Sequence, residues 1–336
     1  MILSIILLAV LLADSSIAQD KEKRAQTGMK FLSVATNARA IGMGEAVTAL
    51  EGKSESMFFN PAGMARQKNF MSFTAGTTEW IADIDYSYAS ISIAPNNGEF
   101  GVFGITVKAV DYGEFIHTIP DGESSAIDID TFSPTALAVG LGYAKALSDR
   151  FSVGGNIKYV YQDLSAGIKG GFVTSYTDGS TYESEKFDKG VMAFDLGILY
   201  KTGYKSLTFG MNVRNFSSEI EYIKESFQLP LMFEMGLSMD LVDLFEIDKT
   251  QHSFLFSIDA THPRDFNEQL NIGVEYTFLN TFSLRCGLIT PTDEQGINAG
   301  VGIKRNVGGV DMAFDYAYTD FGLFDNLNRF TVSFGL

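Results

Sequence analysis

The sequence predicts an all-β fold, a fourteen-stranded antiparallel transmembrane β-barrel with an N-terminal plug or hatch segment inside its lumen. Three observations predict it. From Asn69 onward, apolar residues alternate with small or polar ones at period two, the pattern of a half-buried strand. Many of these segments reach or exceed the roughly 9–11 residues that a tilted strand needs to cross a bilayer. Short and long connections alternate along the chain, apart from 241–249, which is long where a short one is due, as periplasmic turns and external loops do in outer-membrane barrels.

Composition agrees. The 336 residues include 28 Phe, 14 Tyr and 33 Gly but 7 Pro, which excludes a disordered chain. One Cys excludes a disulfide scaffold. With 41 acids against 25 bases the net charge is −16, and no Lys/Arg-rich run is present, so nucleic acid is a poor partner. Three scattered His and one Cys do not make a metal cluster, and no cofactor is expected.

The elements follow in order. Residues 1–18 read as a signal peptide: an apolar run from Met1 to Ala13, too short to span a bilayer, then small residues at Ser16 and Ala18. Cleavage is expected after Ala18. Residues 19–68 break the period of two. They are too apolar to stay solvated, so the economical place for them is inside the barrel, with a helical stretch over 46–50. Residues 69–336 form the barrel. Its strands are expected over 69–77, 84–94, 99–110, 132–146, 151–163, 190–200, 204–215, 228–239, 251–261, 268–278, 281–289, 296–305, 309–319 and 327–336. In the segment 207–214, Leu207, Phe209, Met211 and Val213 share one face, and Thr208, Gly210, Asn212 and Arg214 the other. An even strand number puts both barrel ends on the periplasmic side. A soluble sandwich would pack its bulky faces together and show polar outer faces. Here the bulky ladder carries hardly any charge, which suits lipid. Phe330, Val332, Phe334 and Leu336 alternate to the last residue, as in the terminal strand that the outer-membrane assembly machinery reads.

Two motifs in the N-terminal segment carry a family resemblance. Residues 38–44 read Ala-Arg-Ala-Ile-Gly-Met-Gly, and residues 59–63 read Phe-Asn-Pro-Ala-Gly. Together they resemble the N-terminal signature of the PorV/PorQ group, a branch of the FadL-like outer-membrane barrels. Members often have Gly where this chain has Asn37 and Glu45. The resemblance implies a fourteen-stranded barrel with an N-terminal hatch. PorV-type members carry cargo of the type IX secretion system to a surface attachment complex. FadL-type members take up hydrophobic small molecules through a hatch-gated lumen.

The candidate site residues fall into two sets. The hatch motif comprises Arg39, Gly42, Gly44, Asn60, Pro61 and Gly63. Gly42 and Gly44 allow close backbone approach or positive φ. Pro61 keeps Asn60 extended. Asn60 then serves a simple turn, a latch to the barrel, or a ligand contact. The second set faces the lumen by alternation: Asp195, Glu234, Asp259, Glu275, Asp311 and Asp315, with Lys158, Arg214, Arg285 and Lys304. These charges are expected to pair with each other or with the hatch, since an unpaired one is costly; a path for a polar solute is the alternative. No residues of a nucleophile elbow, phosphate loop or metal-hydrolase motif occur, so no catalytic residues are assigned. Two partner classes remain: secretion proteins or cargo bound by external loops 111–131 and 164–189, or a hydrophobic solute in the lumen.

Overall fold

The computed structural model describes residues 27–120, 126–168, 170–177, 181–222, 224–245, 247–293, 295–324 and 326–336. The expected signal peptide therefore lies outside the described residues. Fourteen antiparallel strands close into one barrel. They are β1 (Met71–Glu79), β2 (Asp85–Ile93), β3 (Val102–Asp111), β4 (Thr135–Ala146), β5 (Phe151–Asp163), β6 (Asp188–Lys201) and β7 (Thr208–Ser217). The second half is β8 (Met232–Asp240), β9 (His252–Pro263), β10 (Gln269–Phe278), β11 (Phe282–Thr290), β12 (Asn298–Val307), β13 (Val310–Thr319) and β14 (Leu327–Gly335). Each predicted strand has its counterpart.

Closure comes from β1 against β14, with Ser72 opposite Gly335 and Glu79 opposite Asn328. Reciprocal backbone bonds between Met71 and Leu336, at 2.9 and 3.1 Å, finish the ladder. No barrel edge stays open, so every strand meets the demand that lipid makes on backbone N–H and C=O groups. The two faces separate as the alternation requires. Leu141 is 63% exposed and Leu196 66%, while Asp195 beside it is 2% exposed. Cys286 is exposed on the bulky face.

One irregularity bends the wall. The register of β6 on β7 shifts between Phe194 and Leu196, and Asn215 takes φ 63°. Two residues of β7 thus face Asp195, a bulge that increases local twist.

The external connections depart from the expectation of loops. Phe115–Pro120 pairs with Ala126–Phe132, and Phe172–Thr177 pairs with Thr181–Glu185, so both long connections are β-hairpins. A two-residue ladder, Ile220–Glu221 with Ser226–Phe227, forms a third. Rings join them in series: Phe115 to Phe132, Phe132 to Phe172, Phe172 to Phe187, Phe187 to Tyr222 and Tyr222 to Phe227, with centroids 5.0–6.1 Å apart.

The segment 27–68 runs along the inner face of the wall. Thr27 bridges to Gln228 at the external end. Arg66 donates to the Ser148 carbonyl, in a short turn, at the other. In between lie a one-turn helix, α1 (Ala38–Gly42), and 3-10 turns at Lys30–Ser33, Ser54–Phe58 and Pro61–Arg66. Residues 46–50 are turn and coil, not the expected helix. Glu45 at φ 60° ends the helical path there. Apolar contacts form three clusters, the smallest being Ala38 and Ile41 of α1 on Ala317 of β13. Met29, Phe31 and Leu32 pack on Tyr86, Val110, Ala136, Ala138 and Val160 near the external end. Met57, Met64 and Ala65 pack on Ala94, Val102 and Ala144 near the periplasmic end.

Candidate functional site

Between the external and periplasmic clusters the lumen is charged. Arg39, carried on α1, donates from Nε and Nη2 to the two Glu275 oxygens at 2.9 and 2.8 Å. Arg285 also donates from Nε to Glu275, and from Nη1 to Asp315 at 2.7 Å. One chain of four charges thus joins the N-terminal segment to β10, β11 and β13. The bidentate fork of a guanidinium fixes orientation as well as charge. Cross-strand geometry explains the pairing: Glu275 and Arg285 are direct neighbours in the ladder, and both point inward.

Across the lumen, Lys158 donates to Asp195 at 2.8 Å, and Asp195 also accepts the Asn215 backbone N–H at 2.8 Å. The bulge is held by that bond. Arg214 reaches Glu234 at 2.7 Å and the Phe58 carbonyl at 2.9 Å. Asp259 accepts the Thr48 backbone N–H at 2.8 Å. The structure therefore brings Lys158, Asp195, Arg214, Glu234, Asp259, Glu275, Arg285 and Asp315 into contact with one another or with residues 27–68.

Two members of the predicted set stand apart. Asp311 lies at the periplasmic rim, with Lys53 at 3.7 Å. Lys304 is exposed and has no ion pair among the described residues. Both have inward parity but sit at the periplasmic mouth, where the inner segment reaches Asp311 only through Lys53. Parity fixes the face of a residue and leaves its depth open.

In the hatch motif, Asn37 caps α1, its Oδ1 accepting the Ala40 N–H at 3.0 Å. The side chain of Asn60 makes three bonds. Its Oδ1 accepts the Ala62 N–H at 3.1 Å, and its Nδ2 donates to the Thr48 carbonyl at 2.7 Å and to the Ile198 carbonyl on β6 at 3.0 Å. It is at once a turn residue and a tie to the wall. Pro61 opens the 3-10 turn that follows. Gly44 has φ 58°, and a side chain on Gly42 would press on Gly300 and Arg285. A side chain on Gly63 would meet Ser56 and the Leu50 carbonyl. Wall glycines answer these positions: a Cβ on Gly287 would fall on the Gly44 backbone, one on Gly273 on the Met43 carbonyl, and one on Gly197 on the Asn60 side chain.

Sequence reasoning missed Arg329, which is 1% exposed, and Lys108, which is 8% exposed. Arg329 donates to the Thr319 hydroxyl at 2.8 Å and lies over the Trp80 ring. Lys108 donates to the Val34 carbonyl at 2.8 Å. The signal was present, since Phe330 and Val107 face outward and their neighbours must face in. At the external end Asp265 accepts from Lys30 and Thr27. Burial pushes its carboxyl up, but the Lys30 ammonium and Thr27 hydroxyl outweigh this and hold it below the usual carboxylate range.

A closed barrel of fourteen strands, with a bulky outward face and charges inside, is an outer-membrane β-barrel. Residues 129–335, more than half of the chain, match the family described as type IX secretion system membrane protein PorP/SprF. The chain belongs to that family. The match places it in type IX secretion, under PorP/SprF where the two N-terminal motifs resemble PorV/PorQ. No curated protein matches the sequence. Three solved structures are similar in fold. The toluene transporter TbuX of Ralstonia pickettii has a TM-score of 0.57 at 12% identity, over 89% of this chain and 97% of that one. The toluene transporter TodX of Pseudomonas putida has 0.55 at 12%, over 88% and 96%. The monoaromatic hydrocarbon channel CymD has 0.54 at 12%, over 90% and 96%. At such identities the likeness establishes a FadL-like fold and no activity.

Proposed function

We propose that the protein is a non-enzymatic outer-membrane component of the type IX secretion system that binds secreted cargo, or another component, through its external hairpins and holds it for surface attachment. In this reading residues 19–68 act as a plug and the lumen is not the path of a solute. One observation carries it: polar contacts in the lumen tie the N-terminal segment to the wall. Arg39 pairs with Glu275 on β10, and Arg214, paired with Glu234 on the neighbouring strand, holds the Phe58 carbonyl, so charge lies where a hydrocarbon path would be apolar. Two cavities carry charged side chains in their lining, Arg39, Glu275 and Arg285 in one and Lys108, Lys158, Asp195 and Arg214, beside Leu32, Met57 and Phe58, in the other. Rings join the hairpins in series, and the described residues Glu114, Phe115, Ile116, Asp128, Asp130, Glu185 and Asp188 are exposed along them. Such a surface suits a polypeptide partner with basic groups.

A shuttle role of the PorV/PorQ kind is the finer form of this reading and rests on the residues at 38–63. Uptake of a hydrophobic solute is the second reading; the fold shared with hydrocarbon channels favours it. The test is a pull-down from the native membrane with the detergent-solubilised protein. The intact protein should recover secretion components or cargo. A variant shortened over 164–189 should keep its barrel and lose them. Equal recovery by both would remove the hairpins from the function.

A further inference from the structure

We propose that the lumen binds one monatomic anion of the chloride class between Lys108, Lys158 and Arg214, and that this ion fastens the inner segment to the wall. A chamber of about 30 Å³ lies there between the segment and strands β3 to β7. Leu32, Met57 and Phe58 line it from the segment. From the wall come three cations, Lys108, Lys158 and Arg214, and a single carboxylate, Asp195.

The acceptors of this chamber are engaged. Asp195 takes the Lys158 ammonium, the Asn156 amide and the Asn215 backbone N–H. Asn215 Oδ1 accepts from Lys158 at 2.6 Å. Asn156 Oδ1 has no donor among the described residues and lies over Gly140.

Its donors are engaged less fully. Lys108 is 8% exposed, and of its three N–H bonds one goes to the Val34 carbonyl at 2.8 Å. It makes no ion pair among the described residues. Arg214 Nε is buried without a partner, while Nη1 holds the Phe58 carbonyl and Nη2 meets Glu234 on β8. Assigning Asp195 to Lys158 and Glu234 to Arg214 leaves one positive charge, that of Lys108. The next charges outward, Glu45 and Arg329, do not line the chamber and offset each other. A buried ammonium without a counter-charge is costly, and apolar walls strengthen its attraction for an anion.

Size and position complete the case. The volume exceeds the roughly 10–15 Å³ that one water needs, and it excludes an oxyanion such as sulfate. Lys108 and Arg214 each hold a carbonyl of the inner segment, Val34 and Phe58. An anion between them offsets their mutual repulsion and so stabilises both ties. The inference concerns the middle of the lumen and stands apart from the external hairpins, so either can fail alone.

The test uses the full-length protein in vesicles, in sodium chloride, bromide, sulfate or gluconate at equal ionic strength, and follows protease release of residues 27–68. Chloride and bromide should slow release saturably, by about tenfold at about ten times the dissociation constant. Sulfate should match gluconate. In crystals grown from bromide, an anomalous peak should lie between Lys108 Nζ, Lys158 Nζ and Arg214 Nε. Lys108→Met should keep its heat-modifiable mobility and lose the halide effect. If that variant does not assemble, the salt series and the bromide peak decide on the unaltered protein. Equal release in all four salts, or slowing by sulfate as strong as by chloride, would overturn the proposal. So would the lack of a bromide peak in the chamber, or an undiminished halide effect in Lys108→Met.

Discussion

At the scale of single residues, the inner segment and the wall are matched by small side chains and by charge. Gly287 faces the Gly44 backbone, and neither backbone has a flexible end to move aside. Gly287→Ala should therefore cost about 1–3 kcal/mol through overpacking. Gly155→Ala, where the nearest foreign atom is Leu196 Cδ2 at 3.4 Å, should be close to neutral. The check is the temperature at which each folded gel band converts to the unfolded one. Equal midpoints would mean that the segment does not press on the wall at Gly287. Glu275 offers a sharper case. Its side chain is 8% exposed and lies between two guanidiniums. Glu275→Gln leaves both without their shared carboxylate, and breaking a buried pair in this way costs about 3–5 kcal/mol. Urea titration in liposomes should show the loss, and protease treatment should release the segment 27–68 first. These contacts were half legible. Alternation assigned Glu275 and Arg285 to the lumen, and the motif drew attention to Arg39. Nothing in one dimension said that Arg39 and Glu275, 236 positions apart, would meet.

Elements were easier to read than contacts, for a physical reason. A strand with lipid on one side and polar groups on the other must alternate, so the pattern is forced along its whole length. Hence all fourteen strands were readable. The external hairpins were not, because Phe115–Pro120 and Ala126–Phe132 lie above the membrane, where neither face is tied to lipid. Their six and seven residues, Phe-Ile-His-Thr-Ile-Pro and Ala-Ile-Asp-Ile-Asp-Thr-Phe, are shorter than a membrane-spanning strand and so read as parts of a connection. The inner segment was also opaque in detail, since its turns follow the shape of the lumen and not a period of their own. The lipid-facing ladder yields a direct prediction. Leu141 stands in the middle of β4 and is 63% exposed. Leu141→Arg should destabilise the barrel by about 2–4 kcal/mol, whereas Leu141→Phe should be tolerated. Folding yield into vesicles measures this. Similar yields for both variants would mean that the face is inverted. The ring series between the hairpins gives another. Phe172 touches Phe132, His117 and Phe187, so Phe172→Ala removes three contacts at once. The barrel should keep its melting behaviour while protease cleavage within 111–134 and 164–187 becomes faster.

On the scale of the whole molecule, closure and occupancy of the lumen set what the protein can do. Full pairing from β1 round to β14 leaves the barrel no open edge, and the protein should resist unfolding in mild detergent and run at a different gel mobility before and after boiling. Family membership places that shell in type IX secretion, and Arg39–Glu275 ties the N-terminal segment to the wall inside it. The fold alone would have permitted the opposite choice, because hydrocarbon channels share it. The most direct measurement is deletion of the gene in its own bacterium, with surface display of secreted cargo and uptake of toluene assayed side by side. The account predicts that display is lost and uptake is unchanged. It also predicts that the full-length gene restores display, while a copy shortened over 164–189 does not. Normal display together with lost uptake would contradict it and make the protein a channel.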